Sequence, residues 1–141
     1  MPKIERLSTK RRQRPARREL TTDQKRKAKF YNNKQWKALR QTYYQNHPLD
    51  EVQKICGRIR LAEHVHHLIK FDDQADDRTK MMLLTDPDNL VSVTTYTHTL
   101  IHTTPELLHE QQRIFLEEKR QIVINKYKNE FGIDLIVNDH V

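Results

Sequence analysis

The chain has 141 residues, one cysteine, 26 Lys and Arg against 19 Asp and Glu, and a formal net charge of +7 at pH 7. That length suits a single domain with a modest core, and a lone Cys56 excludes an intramolecular disulfide. No apolar run is long enough for a bilayer span or a secretory signal, so the expectation is a cytoplasmic protein with no membrane association.

The positive charge is concentrated at the N-terminus. Residues 1–29 hold 12 Lys and Arg against 3 acids, whereas the remaining 112 residues hold 14 against 16. "STKRRQRPARRELTTDQKRKAKF" has almost no apolar side chains before Phe30, so by itself it cannot bury enough surface to offset chain entropy. Residues 1–29 are therefore expected to be a mobile basic arm, read either as a solubilising tail or as a grip on nucleic-acid phosphates. Such a grip gains affinity from counterion release and little sequence choice. Residues 30–141 are expected to form the domain.

"NNKQWKALRQTYYQNHP" places Trp36, Leu39, Tyr43 and Tyr44 at helical spacing and ends at His47-Pro48. "LDEVQKICGRIR" predicts a short helix stopped by Gly57. In "EHVHHLIK" the alternation is that of a strand, with His64 and His66 on one face and His67 on the other. Imidazoles this dense mean either an exposed polar strand or one that binds something. The aspartates of "DDQADDRTK" lack the central Gly and terminal Glu of a calcium loop and predict a solvated, flexible connection.

"DPDNLVSVTT" opens with turn formers and continues as a second strand, antiparallel to the first. From Tyr96 the period becomes helical through His98 and His102, with a restart at Thr104-Pro105, where Thr104 is the expected cap. A long amphipathic helix is predicted from Pro105 to about Tyr127, with Leu108, Phe115 and Ile122 on its buried stripe. "FGIDLIVNDHV" is read as a last strand or a loose tail. The class is thus α+β and mostly helical.

His98 and His102 lie four apart and share a helix face, a common way to offer two imidazoles to one metal. A third ligand from the histidine strand leaves coordination positions open for water and substrate. Taken in order, "HVHHLI", "DPDNLVSV" and "HTLIH" resemble the HNH nuclease motif, the ββα-metal fold of colicin DNases, homing endonucleases and many small phage-encoded endonucleases. The core of the resemblance falls within residues 61–104, with a looser likeness extending back through "YNNKQWKALRQTYYQNHPL".

The resemblance implies His66, His98 and His102 as ligands of one divalent metal ion, His67 as general base and Asn89 as the asparagine that holds the base in orientation. His64 has no family role and is expected to be an exposed bystander. By ligand softness the three nitrogens suit zinc, nickel, cobalt or manganese, with magnesium a poorer match. Arg58 and Arg60 are candidates for contact with the scissile phosphate, with a solvated surface the competing reading.

Many phage members carry two CxxC pairs that hold a structural zinc. The corresponding positions here are Asp50 and Gln53, and Thr94 and Thr97, so no structural zinc is expected and the scaffold is expected to rest on ordinary packing. The implied activity is metal-dependent hydrolysis of DNA phosphodiester bonds. The implied partners are DNA and, by likeness to packaging-associated members, a phage terminase large subunit. The alternatives are a non-catalytic DNA-binding or packaging accessory protein that keeps the fold, and a nuclease preferring RNA.

Overall fold

The computed structural model describes residues 19–138. Its elements are α1 (Thr22–Tyr31), α2 (Lys34–Asn46), α3 (Glu51–Ile55), β1 (His64–His67), α4 (Asp77–Leu84), β2 (Leu90–Val93), α5 (Thr95–Thr103) and α6 (Glu110–Phe131). Short 3₁₀ turns occupy Phe71–Asp73, Pro87–Asn89 and Pro105–Leu107. The described chain is mostly helical with one small antiparallel sheet, the α+β class expected. No helix among the described residues is long and apolar enough to cross a membrane.

β1 and β2 pair with His66 opposite Val91 and His67 opposite Leu90. Opposed residues point to the same side of an antiparallel pair, so this register assigns each histidine a face. His66 shares its side with Val91, which packs with Val52, Val93, Ile101, Leu108 and Leu116. His67 shares its side with Leu90, which packs with Trp36, Tyr43, Phe71, Leu83, Leu84 and Tyr127. Every residue of β2 is buried, so the hairpin is covered on both faces.

Four expectations are corrected. The basic arm does not run to residue 29, because α1 starts at Thr22: Thr21 accepts from the Gln24 amide, the Gln24 side chain accepts from the Thr21 amide, and Phe30 is buried in the core. The part of the arm in residues 1–18 lies outside the described residues. The aspartate-rich connection contains α4, whose N-cap Asp76 accepts from the Thr79 amide at 2.7 Å, because a cluster of aspartates can also be a helix start.

The last long helix begins at Glu110 and not at Pro105, since His109 and Gln112 cap it reciprocally while Thr104 makes no side-chain cap. Its buried face carries Gln112, Leu116, Arg120, Val123 and Tyr127, and Ile122 faces solvent at 60% exposure. Gly132, in the left-handed region at φ 63°, ends this helix, as glycine readily does there. Beyond it residues 133–138 form no strand, and Ile136 is tied by its backbone to both ends of the Gln74 amide.

The scaffold also differs from ordinary apolar packing. Asp50, Gln53, Thr94 and Thr97, far apart in sequence, meet as one buried polar cluster. Asp50 Oδ1 accepts from the amides of Val52 and Gln53, and Oδ2 accepts from the Thr94 amide and the hydroxyls of Thr94 and Thr97. Gln53 Nε2 donates to the Thr97 hydroxyl at 3.0 Å. The carboxylate thereby caps α3 and pins the start of α5 with one side chain.

Candidate metal centre

Strand alternation turns His66 toward α5, and the 3.6-residue repeat of α5 turns His98 and His102 back toward it. The result is a cluster in which one ring nitrogen from each of His66, His98 and His102 lies within 4.8 Å of the others. Ring centroids are 5.1 Å apart for His66–His98, 5.0 Å for His66–His102 and 4.5 Å for His98–His102. The Nε2 atoms of His98 and His102 are 3.0 Å apart.

Nitrogens bound to one ion at about 2.0–2.1 Å in tetrahedral array sit about 3.3 Å from each other, so closing this cluster on an ion takes adjustments of an ångström or so. The donor set also fits. Burial holds His66 well below the ordinary imidazole range, and the nearby His102, His98, His67 and Arg120 push the same way. Burial lowers His98 and His102 too, aided at His98 by His102 and His64, and at His102 by Lys70. Neutral imidazole is the form that ligates metal ions, so the lowered basicity of the three rings is compatible with a cation between them.

His67 projects from the other face into an aromatic seat. Its ring lies 4.5 Å from Trp36 and 5.3 Å from Phe71, centroid to centroid. Nε2 is 3.1 Å from the Leu84 carbonyl, which only accepts, so Nε2 carries the proton and Nδ1 keeps its lone pair. Burial lowers this imidazole as well, against the opposing effects of the Leu84 bond and Asp72. Although the strand separates them, His66 and His67 line one cleft of about 350 Å³ together with His98 and His102.

Asn89 does not bond to the His67 ring. Its Oδ1 accepts from the Ile69 amide at 2.8 Å, and its Nδ2 donates to the Ile69 and Leu83 carbonyls. It therefore fixes the backbone just after His67 and just before Leu84, the residue that sets the tautomer. Any orienting role passes through main chain.

His64 is not an exposed bystander: it is half-buried, stacked on His98 at 5.2 Å, with Nε2 3.0 Å from the Thr95 hydroxyl. Arg58 and Arg60 lie exposed between α3 and β1. A different arginine, Arg120, is buried on α6 and lines a cavity with His66, His67 and His102. Its Nη1 is 3.6 Å from Glu117. Sequence reading passed over it because an arginine within a charged helix reads as solvent-facing; its spacing from Leu116, Val123 and Tyr127 was the available signal.

These shifts have a consequence for stability. Unfolded imidazoles take up protons near pH 6.5 while the buried ones stay neutral, so below that pH the unfolded chain binds more protons and stability falls. Metal-free protein in EDTA is expected to melt at a lower temperature at pH ~5.5 than at pH ~7.5. A His66→Asn variant should show a shallower decline, and equal slopes in the two proteins would contradict the burial of neutral imidazole.

Comparison of the chain with protein-family models, with curated proteins and with solved structures gave no match.

Proposed function

We propose that this protein is a metal-dependent endonuclease of the HNH type that hydrolyses DNA phosphodiester bonds. The observation that carries the reading is the convergence of His66, His98 and His102 on a common point, with His67 lining the same cleft. A stack of core histidines needs no such pairing of a three-nitrogen cluster with a separately seated, neutral fourth imidazole. The order β1, β2, α5 around that cluster supports the ββα-metal arrangement.

His66, His98 and His102 would hold the ion, which when bound supplies Lewis acidity to the scissile phosphate and its leaving 3′-oxygen. His67, with Nδ1 unprotonated, takes a proton from the attacking water as the new P–O bond forms and the P–O3′ bond breaks. Trp36, Phe71 and the Leu84 carbonyl keep that ring from turning away. Arg120 adds fixed positive charge beside the histidines, suited to an anionic substrate. In a packaging setting the partner would be a terminase large subunit.

Incubation with supercoiled plasmid tests the proposal. Manganese or nickel is expected to support nicking, and EDTA to abolish it. His98→Ala and His102→Ala are each expected to lose both calorimetric metal binding and cleavage. Tight DNA binding with no cleavage under any metal would instead favour the accessory-protein reading. Failure of the wild type to bind any of these metals would end the metal-site proposal.

A further inference from the structure

The exposed side of α2 carries a second feature. Lys37, Arg40, Gln41 and Tyr44 recur at three- and four-residue intervals and form one exposed stripe that flanks the buried Trp36 and Tyr43. With Glu63 and Val65 they line a groove of about 320 Å³. Val65 also lines the cleft of the four histidines, so groove and cleft adjoin across one strand residue.

The charge of this groove is available to a ligand. Among the described residues neither Lys37 nor Arg40 forms an ion pair. The acid in the groove, Glu63, is held toward the start of α5, its oxygens accepting from the Thr95 amide at 3.2 Å and the Thr95 hydroxyl at 3.1 Å, which leaves two cations against one acid along the groove. Gln41 offers a neutral donor beside the cations, and Tyr44 offers an aromatic face at 39% exposure. Cations spaced along a helix, followed by a donor and a ring on the same stripe, match the sugar-phosphate backbone of a nucleic-acid strand.

From this we infer that the α2 groove is the track along which a DNA strand is led into the histidine cleft, with Lys37 and Arg40 on successive phosphates. The inference rests on the nuclease reading for its direction, though binding itself does not require cleavage. It adds to the protein a sequence-independent grip that is separate from the basic residues 1–18.

The test uses full-length His67→Ala protein in EDTA, so that binding is read without cleavage. Fluorescence anisotropy with a labelled DNA duplex and a single strand of equal length is followed through a salt titration. Adding Lys37→Glu with Arg40→Glu is expected to weaken binding about tenfold or more, and to flatten the duplex salt slope by about 2 for the two lost phosphate contacts. A charge-matched control, Arg113→Glu with Lys128→Glu on α6 outside the groove, is expected to do markedly less.

Loss confined to the single strand, with matching sensitivity to Tyr44→Ala, would identify unpaired DNA as the occupant. Loss on both ligands or on the duplex alone would identify backbone contact with paired DNA. An unchanged slope on both ligands, or an equal loss in the control, overturns the track. A wild type that binds through the groove and never cuts removes the nuclease reading alone. A wild type that cuts while groove reversal changes nothing removes the track alone.

Discussion

Replacing His67 with alanine is expected to slow plasmid cleavage by about 10²–10⁴-fold, the usual contribution of a positioned general base, with metal affinity retained. The separation follows from the hairpin. His67 lies on the Leu90 face of the sheet, while His66, a proposed ligand, lies on the Val91 face with His98 and His102 opposite it. Removing the His67 ring therefore takes away the proposed proton acceptor and leaves the three-nitrogen cluster in place.

Because burial lowers the His67 imidazole below its ordinary range, the proposed base is already neutral at neutral pH. Wild-type rate should stay level from neutral pH down to about 6.5 and decline at lower pH, as His67 and the histidines of the proposed metal site take up protons. His67→Ala also opens space beside Trp36 and Phe71, so melting of the variant is measured alongside its rate. His67→Gln refills most of that space and should be as slow, since an amide accepts no proton. Equal cleavage rates for wild type and both variants, under every metal, would remove His67 from the chemistry.

The elements that carry the histidines were legible because their periods are short and their residues are contiguous. Alternation in "HVHH" and the four-residue gap between His98 and His102 each determine a face with no knowledge of the rest of the chain. What the sequence concealed depends on partners distant along it. The tautomer of His67 is set by the carbonyl of Leu84, a group every residue owns and no side chain advertises. Asn89 works on the main chain of Ile69 and Leu83, so its partners leave no side-chain signature.

Helix starts failed for a related reason. Thr104-Pro105 carries the stronger local signal, yet His109 and Gln112 make the cap of α6. Gln112 is at once a capping partner and a buried donor to the Val52 carbonyl at 3.1 Å. That second bond, across 60 residues, favours this start over the local one. Asp76 was likewise read with its acidic neighbours as solvated chain, although one of its oxygens was committed to the Thr79 amide.

Asp50→Ala is expected to destabilise the metal-free protein by about 3–5 kcal/mol, because it leaves three amides and the Thr97 hydroxyl in a buried place with no acceptor, while the Thr94 hydroxyl keeps only Thr97 Oγ1 at 3.1 Å. That is a large part of the stability an ordinary domain possesses. Asp50→Asn should cost less, since the amide oxygen still accepts from Val52 and Gln53 while its nitrogen faces donors. Thr97→Val, which removes one hydroxyl and keeps the shape, should cost about 1–2 kcal/mol. Urea denaturation followed by far-UV circular dichroism in EDTA measures all three.

The same carboxylate determines where α5 begins, and α5 sets the direction of His98 and His102. Asp50→Asn should therefore weaken metal binding as well as folding, although position 50 contributes nothing to the three-nitrogen cluster. Thr79→Val provides the contrast: it removes a hydroxyl bonded to Asp76 on α4 and leaves the start of α5 untouched. If Asp50→Asn and Thr79→Val, compared at equal folded fraction, bind added metal equally well, the polar cluster holds the fold together without aiming His98 and His102.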